Sequence, residues 1–417
     1  MRVLMLSWEY PPVVVGGLGR HVHALATRLA EQGHDVVVLC RQETGTDATT
    51  HPSTDDVTER VRVVRVAEDP PHLAFERDLV AWTLGMGHAM IRAAHGLLRS
   101  WRPEVVHAHD WLVTHPAIAI ADLLGVPLVA TMHATEAGRH SGWLSQALNQ
   151  QIHSVEWWLA NRADALVTCS VAMRTEAAHL FDLEPTDIAV IHNGIETDGW
   201  RVGAREIADM RGRHGRTDVP LLLFFGRLEW EKGVQDLIAA LPKIRARHPG
   251  TRLVVAGKGR QEAELVATAR NHRVRRAVEF VGHLSDRELR AALAAADAVV
   301  LPSRYEPFGI VALEAAAAGA PLVASTAGGL GEVVVDGRTG VSFPPGDVPA
   351  IADAVDTVLR DPAAARSRAL AARDRLAVDF DWGRIARATA RVYASARPVA
   401  HDVLGRPKIA TGNAFGV

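Results

Sequence analysis

Short apolar runs alternate with amphipathic stretches along most of the chain. Runs at residues 3–6, 36–39, 61–66, 105–107, 128–132, 166–169 and 188–191 are predicted strands, with helical periodicity at 18–31, 79–99 and 171–181. Strands this short and apolar on both faces, separated by helices, form a parallel sheet covered on both sides. The rhythm restarts near residue 200, with strands expected at 221–225, 253–256, 278–281, 298–301 and 322–324. Between the two sets, residues 195–218 are charged and glycine-bearing, which reads as a linker with one short helix. Later helices are expected at 349–360, 363–377 and 381–396, and 398–417 is expected to be a flexible tail. The pattern predicts an α/β chain with two doubly wound parallel-sheet domains and a cleft between them.

Composition narrows the class. A chain of 417 residues suits two cores, and 48% apolar with 23% charged residues excludes a disordered or membrane-embedded protein. A net charge of -2 gives no case for nucleic acid as a partner. The first apolar run is too short for a signal peptide or a membrane span, and no strongly basic amphipathic helix suggests membrane contact. Cys40 and Cys169 each lie in an apolar run and are expected to be buried free thiols, which fits a reducing cytoplasm.

Chemistry concentrates where strands end. After the 298–301 strand, Arg304, Tyr305 and Glu306 lead through Pro307, Phe308 and Gly309 into a helix opening at Ile310, with Glu314 about two turns in. Such strand ends bind ligands in open α/β sheets, and a helix N-terminus favours phosphate. Taken alone, the two glutamates are equally a cap and a solvated face. Gly226-Arg227-Leu228-Glu229-Trp230-Glu231-Lys232-Gly233 places two cations in one loop, able to converge on a diphosphate. Gly16-Gly17-Leu18-Gly19 follows the first strand and suits close approach of a phosphate, or is a plain turn. The turns Ala256-Gly257-Lys258-Gly259 and Val281-Gly282-His283-Leu284 also join strand to helix. His107-Ala108-His109-Asp110-Trp111 puts two histidines on one strand face; a metal is thinkable, but no third ligand stands at an informative spacing, so none is expected. His133 ends the next strand and is otherwise a satisfied core histidine. Trp157-Trp158 reads as core packing.

Glu306-Pro-Phe-Gly-Ile-Val-Ala-Leu-Glu314 resembles the EX7E motif of retaining glycosyltransferases of family 4, which have the GT-B fold of two Rossmann-like domains. The Arg227–Gly233 loop is similar to that family's pyrophosphate-gripping segment, and Ser7–Pro12 with Gly16–Gly19 resembles its N-terminal donor-phosphate loop. Bacterial glycogen synthases carry a lysine where this chain has Val14. The resemblance runs from Ser7 to about Trp382 and implies the following assignments. Glu306, His133, Arg227 and Lys232 act in catalysis, with His133 hydrogen-bonded to the transferred sugar. Gly16, Gly17, Arg227, Lys232, Gly257, His283, Leu284, Glu306, Phe308, Gly309, Ile310 and Glu314 bind the donor. Glu9, Tyr10, His109, Asp110, Trp111 and Arg139 face the acceptor, and Gly328-Gly329 supports the glutamate loop. The domains implied are an acceptor domain over 1–197, a nucleotide-sugar domain over 198–380 and a helix over 381–397 returning to the first.

SWEYPP, GGLGRH, HAHDW and HATEAGRHSGW look most like actinobacterial α-1,4-glucosyltransferases of glycogen or methylglucose lipopolysaccharide synthesis. That implies ADP-glucose or UDP-glucose as donor, an α-glucan or glucosylated acceptor, and no required cofactor or metal. A homodimer is possible. A GDP-mannose-dependent mannosyltransferase shares the donor motifs, a nucleotide-sugar 2-epimerase shares the fold, and a non-catalytic sugar-nucleotide sensor is a further alternative.

Overall fold

In the computed structural model, residues 1–14, 16–42, 52–67, 72–75, 77–214 and 218–399 are described. By internal contacts the chain divides into two units, Met1–His192 with the segment from Trp382 onward, and Asn193–Asp381.

The first unit holds strands β1 Arg2–Ser7, β2 Asp35–Arg41, β3 Thr54–Thr58, β4 Val61–Val66, β5 Val105–His109, β6 Leu128–Met132, β7 Ala165–Thr168 and β8 Ile188–Val190. Its helices are α1 Gly17–Glu31, α2 Leu79–Leu97, α3 Thr114–Leu124, α4 Glu136–Arg139, α5 Ala147–Arg162 and α6 Val171–Phe181. The sheet order is β3-β4-β2-β1-β5-β6-β7-β8, parallel except for the antiparallel edge strand β3. Successive residues of β1 show why its sequence is continuously apolar. Val3 and Met5 enter one buried cluster while Leu4 and Leu6 enter another, because side chains alternate across a sheet covered on both faces. Register then sets the site: Ser7 pairs with His109 and His109 with Thr131, so three strands end at one level.

The second unit holds β9 Leu221–Phe225, β10 Arg252–Ala256, β11 Val278–Gly282, β12 Ala298–Leu301, β13 Leu322–Ser325 and β14 Val341–Phe343, ordered β11-β10-β9-β12-β13-β14 and all parallel. Around it lie α7 Ala204–His214, α8 Val234–Arg247, α9 Glu262–Asn271, α10 Asp286–Ala295, α11 Ile310–Ala318, α12 Leu330–Val333, α13 Val348–Arg360 and α14 Pro362–Asp379. Both sheets give the GT-B pattern of two parallel-sheet α/β domains.

Two strands depart from the sequence reading, while the one short helix expected within 195–218 is present. Strand β3 is charged and mostly exposed, so no apolar run marks it. Strand β14 has only 3 residues. The stretch read as a linker carries α7, which belongs to the second unit: Arg211 donates to the carbonyls of Ala295 and Val219 at 2.7 and 2.8 Å and pairs with Asp297. Only Met210 of α7 is buried, so a hydrophobic stripe was not there to read. The last helix, α15 Trp382–Ser395, returns to the first unit, where Trp382, Ile385 and Tyr393 join the cluster containing Leu25 and Leu29 of α1. Of the expected tail, residues 400–417 lie outside the described residues, while the Val399 amide donates to Asp164 at 2.7 Å.

Candidate active site

In the second unit the glutamate loop leaves β12 at Pro302 and reaches α11 through Gly309, whose φ of 109° only glycine adopts readily. Glu306 is 8% exposed, and its Oε2 accepts from Lys232 Nζ at 2.9 Å and Ser303 Oγ at 3.2 Å. The loop is stitched to the segment carrying Lys232. The amides of Arg304 and Tyr305 donate to the Glu231 carbonyl at 2.7 and 3.2 Å. Arg304 grips Asp236 of α8 through two bonds of 2.7 Å and lies 4.6 Å over the Trp230 ring. A Cβ on Gly233 would stand 1.9 Å from the Pro302 carbonyl oxygen. Behind the loop, Gly329 donates to the Glu306 carbonyl at 3.0 Å, and a Cβ on Gly328 would sit 2.3 Å from that oxygen.

The other donor residues divide. Arg227 is half exposed and pairs with Glu231 at 3.2 Å, so the two cations of this loop each hold a carboxylate and do not meet on one anion. Ile310 opens α11, which has no side-chain cap; in its first turn the Ala312 amide donates to the Gly309 carbonyl at 2.9 Å. Glu314 is buried rather than a solvated face. The Phe308 ring is buried edge-to-face on Phe380, so at this helix opening it offers a ligand only backbone. Gly257 donates to the Gly282 carbonyl at 2.7 Å, and a Cβ there would stand 1.8 Å from Gly226 O; the glycine lets two loops touch. His283 is exposed and Leu284 half-buried beside it.

In the first unit the imidazoles gather. His109 Nδ1 lies 3.2 Å from His133 Nε2, and His21 of α1 packs its ring edge against His133 at 4.6 Å. One nitrogen from each of the three lies within 4.8 Å of the others, so the third ligand that sequence spacing did not reveal comes from α1. Burial lowers His133 to about 3 and His109 well below the usual histidine range, so these rings are neutral. His107 packs its ring 4.1 Å from that of His109, but both its nitrogens are taken, by Tyr393 Oη at 2.7 Å and Thr131 Oγ1 at 2.8 Å. Asp110 adopts φ 62°, and its Oδ1 accepts from the His133 amide at 2.7 Å; burial raises its carboxyl to about 6. Trp111 follows, half-buried, and Arg139 is exposed at the end of α4.

Several expected contacts are corrected here. Tyr10 is buried in the core with its ring on His23, and His109 is fully buried, so neither side chain is open to an acceptor. Glu9 accepts from the Gly16 amide at 3.0 Å, which occupies the group assigned to a phosphate and turns Glu9 inward onto the loop. Gly17 is the first residue of α1. Residues that sequence reading missed include His21, Ser303, Asp236 and Arg304. Glu156 was also missed: its carboxylate receives the Glu136 amide at 2.9 and 3.1 Å, and burial pushes it up to about 8. No spacing rule marks these residues, since each meets its partner only through the fold.

Known proteins match this arrangement along the whole chain. The family model described as "Glycosyltransferase Family 4" matches residues 15–198, and "Glycosyl transferases group 1" matches 206–375. The chain is 60% identical over 402 residues to a glycogen synthase of Mycobacterium tuberculosis, covering 95% of each. It is 33% identical to an alpha-maltose-1-phosphate synthase of Mycolicibacterium smegmatis, over 94% of this chain and 99% of that one. Among solved structures, sucrose-phosphate synthase from Thermosynechococcus elongatus superposes with a TM-score of 0.79 at 24% identity, covering 94% of this chain and 98% of that one. The catalytic domain of starch synthase IV from Arabidopsis thaliana, bound to ADP and acarbose, gives 0.74 at 19% identity, covering 94% and 99%.

Proposed function

The chain belongs to glycosyltransferase family 4, and from that membership we propose that it is a retaining glucosyltransferase using ADP-glucose or UDP-glucose to extend an α-1,4-glucan or glucosylated acceptor. The observation that carries this reading is the Lys232–Glu306 pair at the opening of α11, held by the Arg304–Asp236 clamp. The hard step is departure of a nucleoside diphosphate from the anomeric carbon. Lys232, Arg227 and the first amides of α11 stabilise the charge gathering on the leaving phosphate, and Glu306 contacts the sugar. For a phosphate to take Lys232, the ammonium must share its bond to Glu306, and Arg227 must leave Glu231. Glu314 holds the ribose hydroxyls, and neutral His133 hydrogen-bonds the sugar without adding charge. The acceptor hydroxyl attacks from the leaving-group face and passes its proton to the departing phosphate, which preserves the anomeric configuration. These cations supply the charge that Mg2+ supplies elsewhere, so the reaction proceeds without added metal. The 60% identity to a glycogen synthase supports glucose as the sugar.

The test is nucleoside diphosphate release from ADP-glucose, UDP-glucose and GDP-mannose, each with and without a maltooligosaccharide and in the presence of EDTA. Acceptor-dependent release from a glucose donor, with a longer product of α configuration, is expected. Turnover of GDP-mannose alone overturns the reading in favour of mannosyl transfer. Donor binding without release leaves a sensor, and a changed sugar without acceptor leaves an epimerase.

A further inference from the structure

The imidazole cluster of the first unit has a use that sugar transfer does not require. His21, His109 and His133 come from three elements, the first turns of α1 and the ends of β5 and β6. In a four-coordinate zinc site with Zn–N near 2.0–2.1 Å, neighbouring nitrogens stand ~3.3–3.4 Å apart. His109 Nδ1 and His133 Nε2, at 3.2 Å, already form one such edge. The widest spacing is at most 4.8 Å, and His133 is the most accessible of the three. The Asp110 carboxylate, bonded to the His133 amide, lies close by as a balancing negative charge.

We propose that His21, His109 and His133 form a binding site for a borderline divalent transition metal, Zn2+ or its neighbours Co2+ and Ni2+, and that filling it inhibits the enzyme. Three imidazoles and no carboxylate ligand favour these ions over Mg2+ and Ca2+, which require oxygen. Three protein ligands leave a fourth position for water. Inhibition rests on the proposed transfer reading: a His133 nitrogen bound to metal no longer hydrogen-bonds the sugar. Binding itself does not depend on that reading.

The experiment titrates untagged, chelator-stripped protein with Co2+, following the visible absorption of four-coordinate cobalt and the stoichiometry, then displaces Co2+ with Zn2+. One Co2+ per chain is expected, with no response to Mg2+. His21→Gln should weaken binding at least tenfold, whereas His153→Gln, outside the cluster, should bind as the wild type does. If His21→Gln fails to fold by circular dichroism, His109→Gln replaces it, and the wild-type spectrum and stoichiometry stand by themselves. No four-coordinate spectrum in the wild type, or the same spectrum in folded His21→Gln, overturns the site. Stoichiometric Zn2+ should slow nucleoside diphosphate release at least tenfold, with recovery on adding chelator. Unimpaired transfer by metal-loaded protein overturns the inhibitory half. If the stripped protein releases nucleoside diphosphate from no donor, the transfer reading falls while the cobalt titration still decides the site.

Discussion

Lys232 and Glu306 neutralise each other across 2.9 Å in surroundings that leave each side chain about one-eighth exposed or little more. Replacing either, Lys232→Ala or Glu306→Gln, should lower kcat by ~10²–10³ with the chain still folded, as expected for loss of one preorganised group; steady-state kinetics beside circular dichroism checks it. Glu156 makes a pH prediction. Burial pushes its folded carboxyl up to about 8 from an ordinary 4.5, so between those values the folded chain keeps a proton that the unfolded chain has released. Raising pH through that window therefore favours unfolding, by at most ~1.4 kcal/mol per pH unit. Urea midpoints from pH 5 to 8 should fall more steeply for the wild type than for Glu156→Gln. Equal slopes would show that Glu156 is ionised throughout. At this scale the sequence identified residue types well and depth poorly. Glu306 and Lys232 were legible because their motifs resemble those of a known family, whereas charge in a strand-end loop by itself favours a solvated surface. The depth of the Tyr10, His109 and Phe308 side chains was not legible because burial depends on neighbours far along the chain.

The elements that matter are loops made close by glycine. Gly257 has φ 139° and stands where a Cβ would meet Gly226 O at 1.8 Å, so Gly257→Ala combines backbone strain with a backbone clash. It should cost on the order of 3 kcal/mol and weaken donor binding, read as a lower thermal midpoint and a raised KM for the nucleotide sugar. A wild-type midpoint would mean that the loops separate freely. The strand–loop–helix order around these glycines was readable, since apolar runs stop at them. The clamp from Arg304 to Asp236 was not, because its partners sit on a loop and a helix joined only through the sheet. Helix α7 was expected as one short helix within a linker, but its attachment to the second unit was not legible: Arg211 anchors it to backbone carbonyls, and hydrophobic periodicity does not register that anchor.

At the scale of the molecule, the chain leaves its first unit after His192 and re-enters it at Trp382. The returning helix α15 completes the first core and supplies the side-chain partner of His107 Nδ1, Tyr393 Oη at 2.7 Å. Tyr393→Phe should therefore destabilise the first unit by ~1–3 kcal/mol, the cost of leaving that buried nitrogen unpaired. Urea unfolding followed by hydrogen exchange in β5 checks it; unchanged protection would show that water replaces the phenol.

Sequence alone determined the α/β class, the two sheets, the strand ends where chemistry gathers and the family, because apolar periodicity and motif order are properties of neighbouring residues. Only the tertiary structure decided that His21 joins His109 and His133, that Glu9 holds the Gly16 amide, and that Glu306 is shared by Lys232 and Ser303. Those contacts join residues on different elements, and it is strand register and the crossing of the chain that bring them within hydrogen-bonding distance.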